Sequence, residues 1–423
     1  MQDILDVKSK KKFSFLPTQK KNTLFKLLWL VYFASNLGRF SYVACMIEIV
    51  ITEKISMTQA GLVVTGFFIC YGLGQIAAGY IGGRRNPFKL IFTGLFCTAL
   101  MHLLMIFANN SAYMLVIWCI NGLCQAILWP PVLRIIVESY SEPDRSRFCT
   151  NIATTHPIAA MFAYISCAGI ITILSWKAVF VIYSAFLFLV AGIWLLAYHK
   201  LNFTVQPGTP EKPKSAERIR YGDFFAGKAS PGIAIVLFCL TLVIQGALRD
   251  GLMTWAPAYM AGMFSLPSNS AIFSAGFIPV MNLAGIYLCR ILFNRFNNEG
   301  TITVFLFGIT FLAALVLRFA GENHILLAIS SFAVITGCMM GVNLMLVTFV
   351  PARFIKFNLV PFMTGLTNFM VYAGSSVSTF SVASMAEKTG WNSILTLMII
   401  LAVISAMLCV IAAPRWKHFI TIQ

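Results

Sequence analysis

Charged residues are scarce in this chain, acidic ones above all. Only 11% of the 423 residues are charged, with 14 acidic side chains against 31 lysines and arginines, while 59% are apolar and the mean hydropathy is +0.83. A soluble globular protein carries about 25% charged residues. This shortfall excludes an ordinary cytosolic enzyme, a disordered protein and a secreted disulfide scaffold. It leaves a polytopic α-helical membrane protein.

Motifs that mark other classes of protein are also missing. The eleven cysteines include no Cys-x-x-Cys pair and lie in or beside apolar runs, which is typical of buried structural thiols. There is no P-loop, no His-Glu-x-x-His pair and no Gly-x-Ser-x-Gly elbow, so no enzyme, metal site or cofactor is predicted. The polar, basic amino terminus is not followed by the apolar core of a cleavable signal peptide.

Twelve apolar stretches occupy most of the chain, and each can supply the about 20 residues that a membrane-spanning helix needs. They predict an all-α membrane protein with twelve transmembrane helices in two pseudo-symmetric bundles of six. The first six lie near 24–48, 58–82, 88–108, 112–138, 149–175 and 177–199. The second six lie near 232–262, 268–294, 301–321, 324–350, 357–386 and 391–414.

Five segments follow from this pattern. They are a basic tail at 1–23, an amino-terminal six-helix bundle at 24–199, a charged, proline-containing central loop at 200–231, a carboxy-terminal six-helix bundle at 232–416 and a short tail at 417–423.

The positions of lysine and arginine orient the chain in the bilayer. They cluster in the first tail, in the loops after the second and fourth spans and in the central loop, whereas the opposite side has only Lys54, Lys177, Arg318 and Lys388. Both termini and the central loop are therefore predicted to be cytoplasmic, in a multi-pass protein of the cell membrane. The lysines and arginines behind the net charge of +17 are explained by this orientation in the membrane. The predicted partner is therefore the lipid bilayer and not nucleic acid.

Matching features recur about 210 positions apart, which indicates an internal repeat. The pairs are Gly83 with Asn294, Trp176 with Trp391, Arg39 with Arg249 and His156 with Asn368. The halves are thus predicted to be copies with the same orientation, arranged around a central path.

Arg39 and Arg249 are the most informative residues, because each lies inside an apolar span at the matching position of its half. Arginine at mid-membrane costs at least ~2.5–3.5 kcal/mol, so each is expected to face a watery cavity or a partner. A guanidinium presents a rigid fork of donors that fits phosphate or carboxylate. Together the two arginines predict a clamp for a small anion.

Structural pairing is the alternative for each arginine. Arg249 has Asp250 beside it, and Arg39 has Glu48 nine residues further on, near the outer end of the span. Neighbours on an α-helix do not face each other, so the pairing with Asp250 is expected to have poor geometry. These considerations favour the clamp.

Other polar or amphipathic side chains inside the spans are candidates for lining the path. His156 can donate to an anion or titrate with it, although a buried histidine is often only structural. The remaining candidates are equally well explained by hydrogen bonds between helices; they are Tyr42, Tyr71, Gln75, Trp129, Tyr259, Asn368 and Tyr372. The Trp-Pro-Pro at Trp129 also predicts a break or kink in the fourth span.

At these residues the sequence resembles the major facilitator superfamily and, within it, the organophosphate:phosphate antiporter family, which includes bacterial glycerol-3-phosphate and hexose-phosphate carriers. The resemblance runs from about residue 24 to 416 and rests on the segments YGLGQIAAGYIGGRRNP, CQAILWPPVLR, RSRFCTNIATTH, LRDGLMTWAPAYM and GLTNFMVYAGSSV. It implies that Arg39 and Arg249 bind phosphate, with His156 and Tyr71 beside them. It also implies exchange of a phosphorylated metabolite for inorganic phosphate by alternating access, in a fold that needs only a monomer.

Two departures from the family pattern bear on function. Gln75 stands where the glycerol-3-phosphate carriers have a lysine, and Phe40 stands where they have a second basic residue, so the cavity is expected to carry less positive charge. Gly83 and Asn294 occupy the places of the loop aspartates, so the cytoplasmic gate is expected to latch more weakly or by other contacts.

These departures leave two further hypotheses open. One is a proton-coupled importer of a sugar acid or carboxylate, in which His156 and Asp250 would be the titrating groups. The other is a transporter-like sensor that binds a sugar phosphate without carrying it across the membrane.

Overall fold

The computed structural model describes residues 18–82, 85–140, 144–201, 232–321, 324–354 and 360–422. Within these ranges all regular structure is helical, and the helices form twelve membrane-crossing segments, here called spans 1 to 12. Eleven of the spans are long and apolar enough to cross a bilayer by length and composition. The predicted all-α fold of two successive sets of six helices is thereby confirmed.

Spans 1 to 6 form the first half, and proline interrupts two of them. Span 4 breaks just before Pro130 and Pro131, and span 5 breaks at Thr154, ahead of Pro157, because a proline ring cannot donate and crowds the preceding turn. The break predicted at the Trp-Pro-Pro is thus confirmed. The helices are Thr18–Thr52, Met57–Gly82, Pro87–Met105, Ser111–Ala126 and Trp129–Ser139 (span 4), Asp144–Ala153 and Thr155–Ile173 (span 5), and Trp176–Leu201.

Spans 7 to 12 form the second half, and two of them contain a π-helical turn. These turns are Ala247–Gly251 in span 7 and Leu344–Phe349 in span 10. A single π-helical turn inside an α-helix is rare and frequently marks a functional site. The helices are Gly232–Gly246 and Leu252–Phe264 (span 7), Ser268–Ala275 and Ile278–Phe296 (span 8), Glu299–Phe319, Ile325–Asn343 and Val350–Ala352 (span 10), Val360–Lys388, and Trp391–Ile422.

Span 11, Val360–Lys388, is the one that falls outside the eleven apolar spans, because it is rich in serine and threonine. Its hydroxyls bond back to its own carbonyls, as in Thr367 to Met363 at 2.9 Å and Thr379 to Ser375 at 2.7 Å. The helix packs against spans 2 and 7. A polar helix is tolerated there because polar groups inside a membrane face protein or a watery cavity.

Spans 7 and 11 approach each other closely through two glycines. A Cβ on Gly246 would lie 2.0 Å from the carbonyl oxygen of Val371, and one on Gly374 would lie 1.8 Å from that of Val243. A backbone carbonyl cannot move aside as a flexible side chain can, so both positions require glycine. This contact brings the π-helical turn of span 7 against the polar face of span 11.

The two halves meet near one face of the membrane. We call the face where spans 1 and 2 connect the distal face, and the face that carries Arg85 and Lys89 the basic face. Three hydrogen-bonded contacts join the halves at the distal face: Thr58 donates to Glu387 through its N–H (3.1 Å) and its hydroxyl, Ser268 donates to Glu48, and Asn269 donates to the Thr172 hydroxyl (3.2 Å).

Nearer the basic face, span 11 has free space beside one of its glycines. A Cβ on Gly72 of span 2 would lie 3.3 Å from that of Tyr372 in span 11. About two turns nearer the basic face, a Cβ on Gly365 would meet nothing within 4 Å among the described residues. The second helix of span 4 and the end of span 10 each pack on their own half there. Among the described residues, the hydrogen bonds that join the halves at an end of the spans thus lie at the distal face.

Several predicted features lie outside the described residues. They include the basic tail as far as residue 17, the loop residue Gly83 and the central loop from 202 to 231. The division of the chain into five segments stays a prediction.

The glycine contact between spans 7 and 11 can be tested by adding one methyl group. Gly374→Ala is expected to destabilise the protein by about 1–3 kcal/mol, because the methyl group overlaps a carbonyl that cannot yield. Gly308→Ala is the matched control, since a Cβ there has nothing within 4 Å. Thermal unfolding in detergent measures both, and equal midpoints for the two variants would contradict the packing argument.

The distal contacts predict a latch that depends on Glu387. Glu387→Gln is expected to open the distal face, because an amide is a weaker acceptor for the Thr58 donors than a carboxylate. Hydrogen–deuterium exchange would then rise at Ser268–Ala275, which closes the same face at a separate point. Glu53→Gln is the control, since Glu53 accepts from Trp176 (3.1 Å) within its own half. A change confined to the residues around Thr58 would instead show a purely local effect.

Candidate functional site

A narrow cavity lies between the halves, among spans 1, 2, 4, 5 and 7. It has room for about one water molecule. Its polar wall residues are Arg39, His156, Asp250 and Thr254. The remaining wall is apolar and consists of Phe40, Val43, Val64, Phe67, Phe68, Trp118 and Met253.

Arg39 is buried at this cavity inside a group of aromatic rings, here called the aromatic cage. Its guanidinium carbon lies 5.3 Å from the ring centres of both Phe67 and Phe68, 4.7 Å from that of Tyr71 and 5.1 Å from that of Tyr372. Each desolvated cation–π contact of this kind is worth about 2 kcal/mol. The cage therefore stabilises the buried charge without any carboxylate.

Most donors of Arg39 have no partner in the part of the chain that the structure describes. One Nη1 donor reaches the hydroxyl of Tyr372 at 3.3 Å, whereas a guanidinium has five N–H groups. The alternative pairing with Glu48 is not what the structure shows, since Glu48 accepts from Ser268 at the distal face. Arg39 is thus a buried cation with donors left for a ligand.

Arg249 has a different environment, because Asp250 holds its guanidinium. Nε donates to Asp250 Oδ1 at 2.7 Å and the second nitrogen donates to Oδ2 at 2.8 Å, a two-pronged ion pair. The expectation that adjacent residues pair poorly was wrong here. It assumed a regular α-helix, whereas both residues lie in the π-helical turn Ala247–Gly251. The altered backbone and the long arginine side chain let the fork turn back onto its neighbour.

Asp250 is also held from the opposite helix. The Ser375 hydroxyl on span 11 donates to Oδ2 at 2.6 Å, so the carboxylate accepts three hydrogen bonds. Asp250 lines the cavity, and Arg249 is absent from the described lining residues. The two-arginine clamp therefore stays a prediction: Arg39 faces the cavity, while the Arg249 fork faces a carboxylate of its own chain.

His156 lies at the cavity wall, where span 5 restarts after its break. Its ring meets Phe40 edge-on, with 5.0 Å between the ring centres. Its Nδ1 is buried and has no hydrogen-bond partner among the described residues. An unpartnered ring nitrogen beside Arg39 is available to a ligand that enters the cavity.

Tyr71 and Tyr372 come together as part of the aromatic cage, with 4.8 Å between their ring centres. Gln75, one turn beyond Tyr71 on span 2, is buried, and its Nε2 has no partner among the described residues. These three predicted residues and Arg39 therefore cluster where spans 2 and 11 meet. Gln75 is not on the present cavity wall.

The remaining predicted candidates lie elsewhere. Tyr42 is fully buried against Trp118, with 5.5 Å between the rings. Trp129 is half-buried and packs on Tyr32, with 4.8 Å between the ring centres.

The two remaining candidates of the second half are also engaged within that half. Asn368 donates to the Thr364 carbonyl of its own helix at 3.0 Å. Tyr259 is fully buried and packs against Phe332 and Trp391, at 5.1 and 5.3 Å between ring centres.

Sequence reasoning missed Phe67, Phe68 and Ser375. Phe67 and Phe68 read as ordinary apolar residues of span 2, although their position one turn before Tyr71 places three rings in one stretch. Ser375 lies one turn after Tyr372 on the polar span, and that i, i+3 spacing was the available signal. Among the described residues no cluster of three or more His, Cys, Asp or Glu side chains could hold a metal ion.

Comparisons with known proteins support this architecture. The family profile for the Major Facilitator Superfamily matches residues 28–379. The membrane sensor protein UhpC of Escherichia coli K12 is 24% identical over 405 residues, covering 90% of this chain and 89% of the relative. The glycerol-3-phosphate transporter of Bacillus subtilis is 23% identical over 400 residues, covering 86% and 87%.

A solved structure shares the fold. A mutant of the peptide transporter POT, crystallised with alafosfalin, superposes with a TM-score of 0.74 at 12% identity, over 93% of this chain and 95% of that one. The identity is too low to transfer a substrate. The profile, the full-length relatives and the fold agree: the chain belongs to the major facilitator superfamily, and within it is similar to the organophosphate:phosphate antiporters.

Proposed function

We propose that this chain is a secondary active transporter that carries a small organic anion, a phosphorylated metabolite, across the cell membrane in exchange for inorganic phosphate. The observation that carries the proposal is Arg39, a permanently charged guanidinium buried between the halves at the cavity wall, most of whose donors have no partner among the residues that the structure describes. Such a group at mid-membrane fits a substrate path far better than it fits packing. We place both termini and the basic face in the cytoplasm.

The shape of the molecule supports an alternating-access cycle. Hydrogen bonds between the halves join them at the distal face, and Arg39 lies at a cavity deeper between them. An anion that enters from the basic face would reach Arg39 between the halves. Rocking of one half against the other would then release the distal contacts and expose the same residue to the other side.

Electrostatics gives a reason for obligatory exchange. An empty site leaves the Arg39 charge without a counter-ion in surroundings of low dielectric constant, which resists closure of both faces around it. A bound anion neutralises that charge and lowers the barrier. Inorganic phosphate and a phosphate ester share the oxygen atoms that accept from a guanidinium fork, so either one can accompany the return step.

The proposed substrate class is supported by two kinds of relative that are similar to this chain. One is named as a glycerol-3-phosphate transporter and others as probable hexose phosphate transport proteins. They also support a second candidate function. The E. coli relative is named as a membrane sensor, and the Arg249–Asp250 pair leaves one of the two arginines occupied without a ligand. A sensor would bind the anion and transmit a conformational change without completing the cycle.

Ligand binding by the purified protein tests the proposed substrate class. Thermal unfolding is expected to shift upward with phosphate esters and inorganic phosphate, because a ligand at 100 times its Kd stabilises the native state by about 2.7 kcal/mol. Phosphonates and sugar acids form the comparison panel. A shift with sugar acids alone, together with uptake that collapses on adding a protonophore, would favour a proton-coupled importer. Binding without any uptake would favour the sensor.

The role of the arginines predicts the loss of exchange in conservative variants. Arg39→Lys and Arg249→Lys are each expected to abolish phosphate counterflow in proteoliposomes, because an ammonium cannot reproduce the planar fork of donors. Arg415→Lys is the control, since Arg415 is exposed and donates to a carbonyl of its own helix at 2.8 Å. Retained counterflow in an arginine variant at either site would remove that arginine from the proposed clamp.

A further inference from the structure

We propose that Asp250 fixes the charge of the anion that this site accepts, so that the carrier selects a singly charged oxyanion over a doubly charged one. The proposal rests on the proposed function, and it specifies the substrate class further. A singly charged oxyanion is a phosphodiester, a carboxylate or a phosphate monoester that carries a proton.

Asp250 places a carboxylate at the wall of the cavity. Its carboxylate lines the central cavity, while two donors of Arg249 and the hydroxyl of Ser375 hold it at 2.7, 2.8 and 2.6 Å. Three hydrogen bonds to a carboxylate, two of them from a cation, strongly favour its charged form. A negative charge of the protein is therefore part of the wall that an incoming anion meets.

Three charged side chains set the net charge of the site. Arg39 and Arg249 contribute two positive charges, since arginine stays protonated in proteins, and Asp250 contributes one negative charge. Tyr71 and Tyr372 in the aromatic cage, Tyr32 on span 1 and His156 on span 5 are the other titratable groups near this trio. With the three tyrosines and the histidine neutral, the empty site carries one net positive charge.

A second negative charge on the bound anion would have no positive charge to balance it. A singly charged anion brings the site to zero, whereas a doubly charged anion leaves one negative charge unbalanced. Most of the wall is apolar, including Val43, Val64, Phe67, Trp118 and Met253. An unbalanced charge buried in such surroundings is strongly unfavourable.

The packing of spans 7 and 11 holds Asp250 and Ser375 in place. Asp250 and Ser375 belong to spans 7 and 11, which are locked together by the contacts of Gly246 and Gly374 with opposing carbonyls. A Cβ on Gly251 would likewise lie 2.6 Å from the hydroxyl of Ser378. Asp250 therefore cannot swing away from the cavity without disturbing this packing, and its charge is a fixed part of the site.

The experiment compares two esters of fixed charge on the full-length protein in detergent. At about pH 8.5, methyl phosphate carries two charges, because the second pKa of a phosphate monoester is about 6, and dimethyl phosphate carries one. Isothermal titration calorimetry of the wild-type protein is expected to show dimethyl phosphate binding at least about tenfold more tightly. Asp250→Asn is expected to reverse the order, since the site then carries two net positive charges.

Ser375→Ala is the matched variant. It removes one hydrogen bond from the same carboxylate and no charge, so it is expected to keep the wild-type order of the two esters. The inference is overturned if the wild-type protein binds methyl phosphate as tightly as dimethyl phosphate, a result that needs no folded variant. It is also overturned if folded Asp250→Asn retains the wild-type ratio. Failure of the wild-type protein to bind either ester would contradict the proposed function itself.

Discussion

A permanent positive charge buried between two membrane bundles is the constraint on which the site depends. Arg39 cannot lose its proton, and placing it at mid-membrane costs about 2.5–3.5 kcal/mol on insertion scales. Four aromatic rings surround it, and each cation–π contact recovers an amount of the same order. Ring faces stabilise the cation, yet they offer no carboxylate that would compete for its N–H donors. The cage therefore permits burial and leaves the donors for an anion.

Arg249, which the predicted repeat matches with Arg39, meets the same constraint in the opposite way. A π-helical turn brings Asp250 onto its fork, and Ser375 holds that carboxylate in place. Arg39 lies in the uninterrupted α-helix Thr18–Thr52, so the two arginines differ in local backbone as well as in partners. One half contributes a cation whose donors are mostly unpaired within the described ranges, and the other contributes a neutral pair whose carboxylate faces the cavity. In the proposed site this asymmetry leaves a single net positive charge.

Hydropathy and charge could predict much of this structure. Apolar run lengths predicted the spans, the prolines after Trp129 predicted the break in span 4, and the cost of burying Arg39 predicted its place at a cavity. The pairing of Arg249 with Asp250 was mispredicted, because no sequence signal marks the change from α- to π-helical winding. Phe67 escaped notice for a related reason: apolar residues that cage a cation have the same composition as those that face lipid.

The hydrogen bonds around the cavity differ in whether they would survive rocking. Asp250 is bonded by Arg249 and Ser375, all within the second half, so this group moves as one body. The bond from Arg39 to Tyr372, at 3.3 Å, joins the first half to the second. Rocking that separates spans 2 and 11 must break it and remove one ring from the cage. The Arg39 charge then loses stabilisation when the halves separate. An anion bound between the halves can supply the stabilisation that is lost.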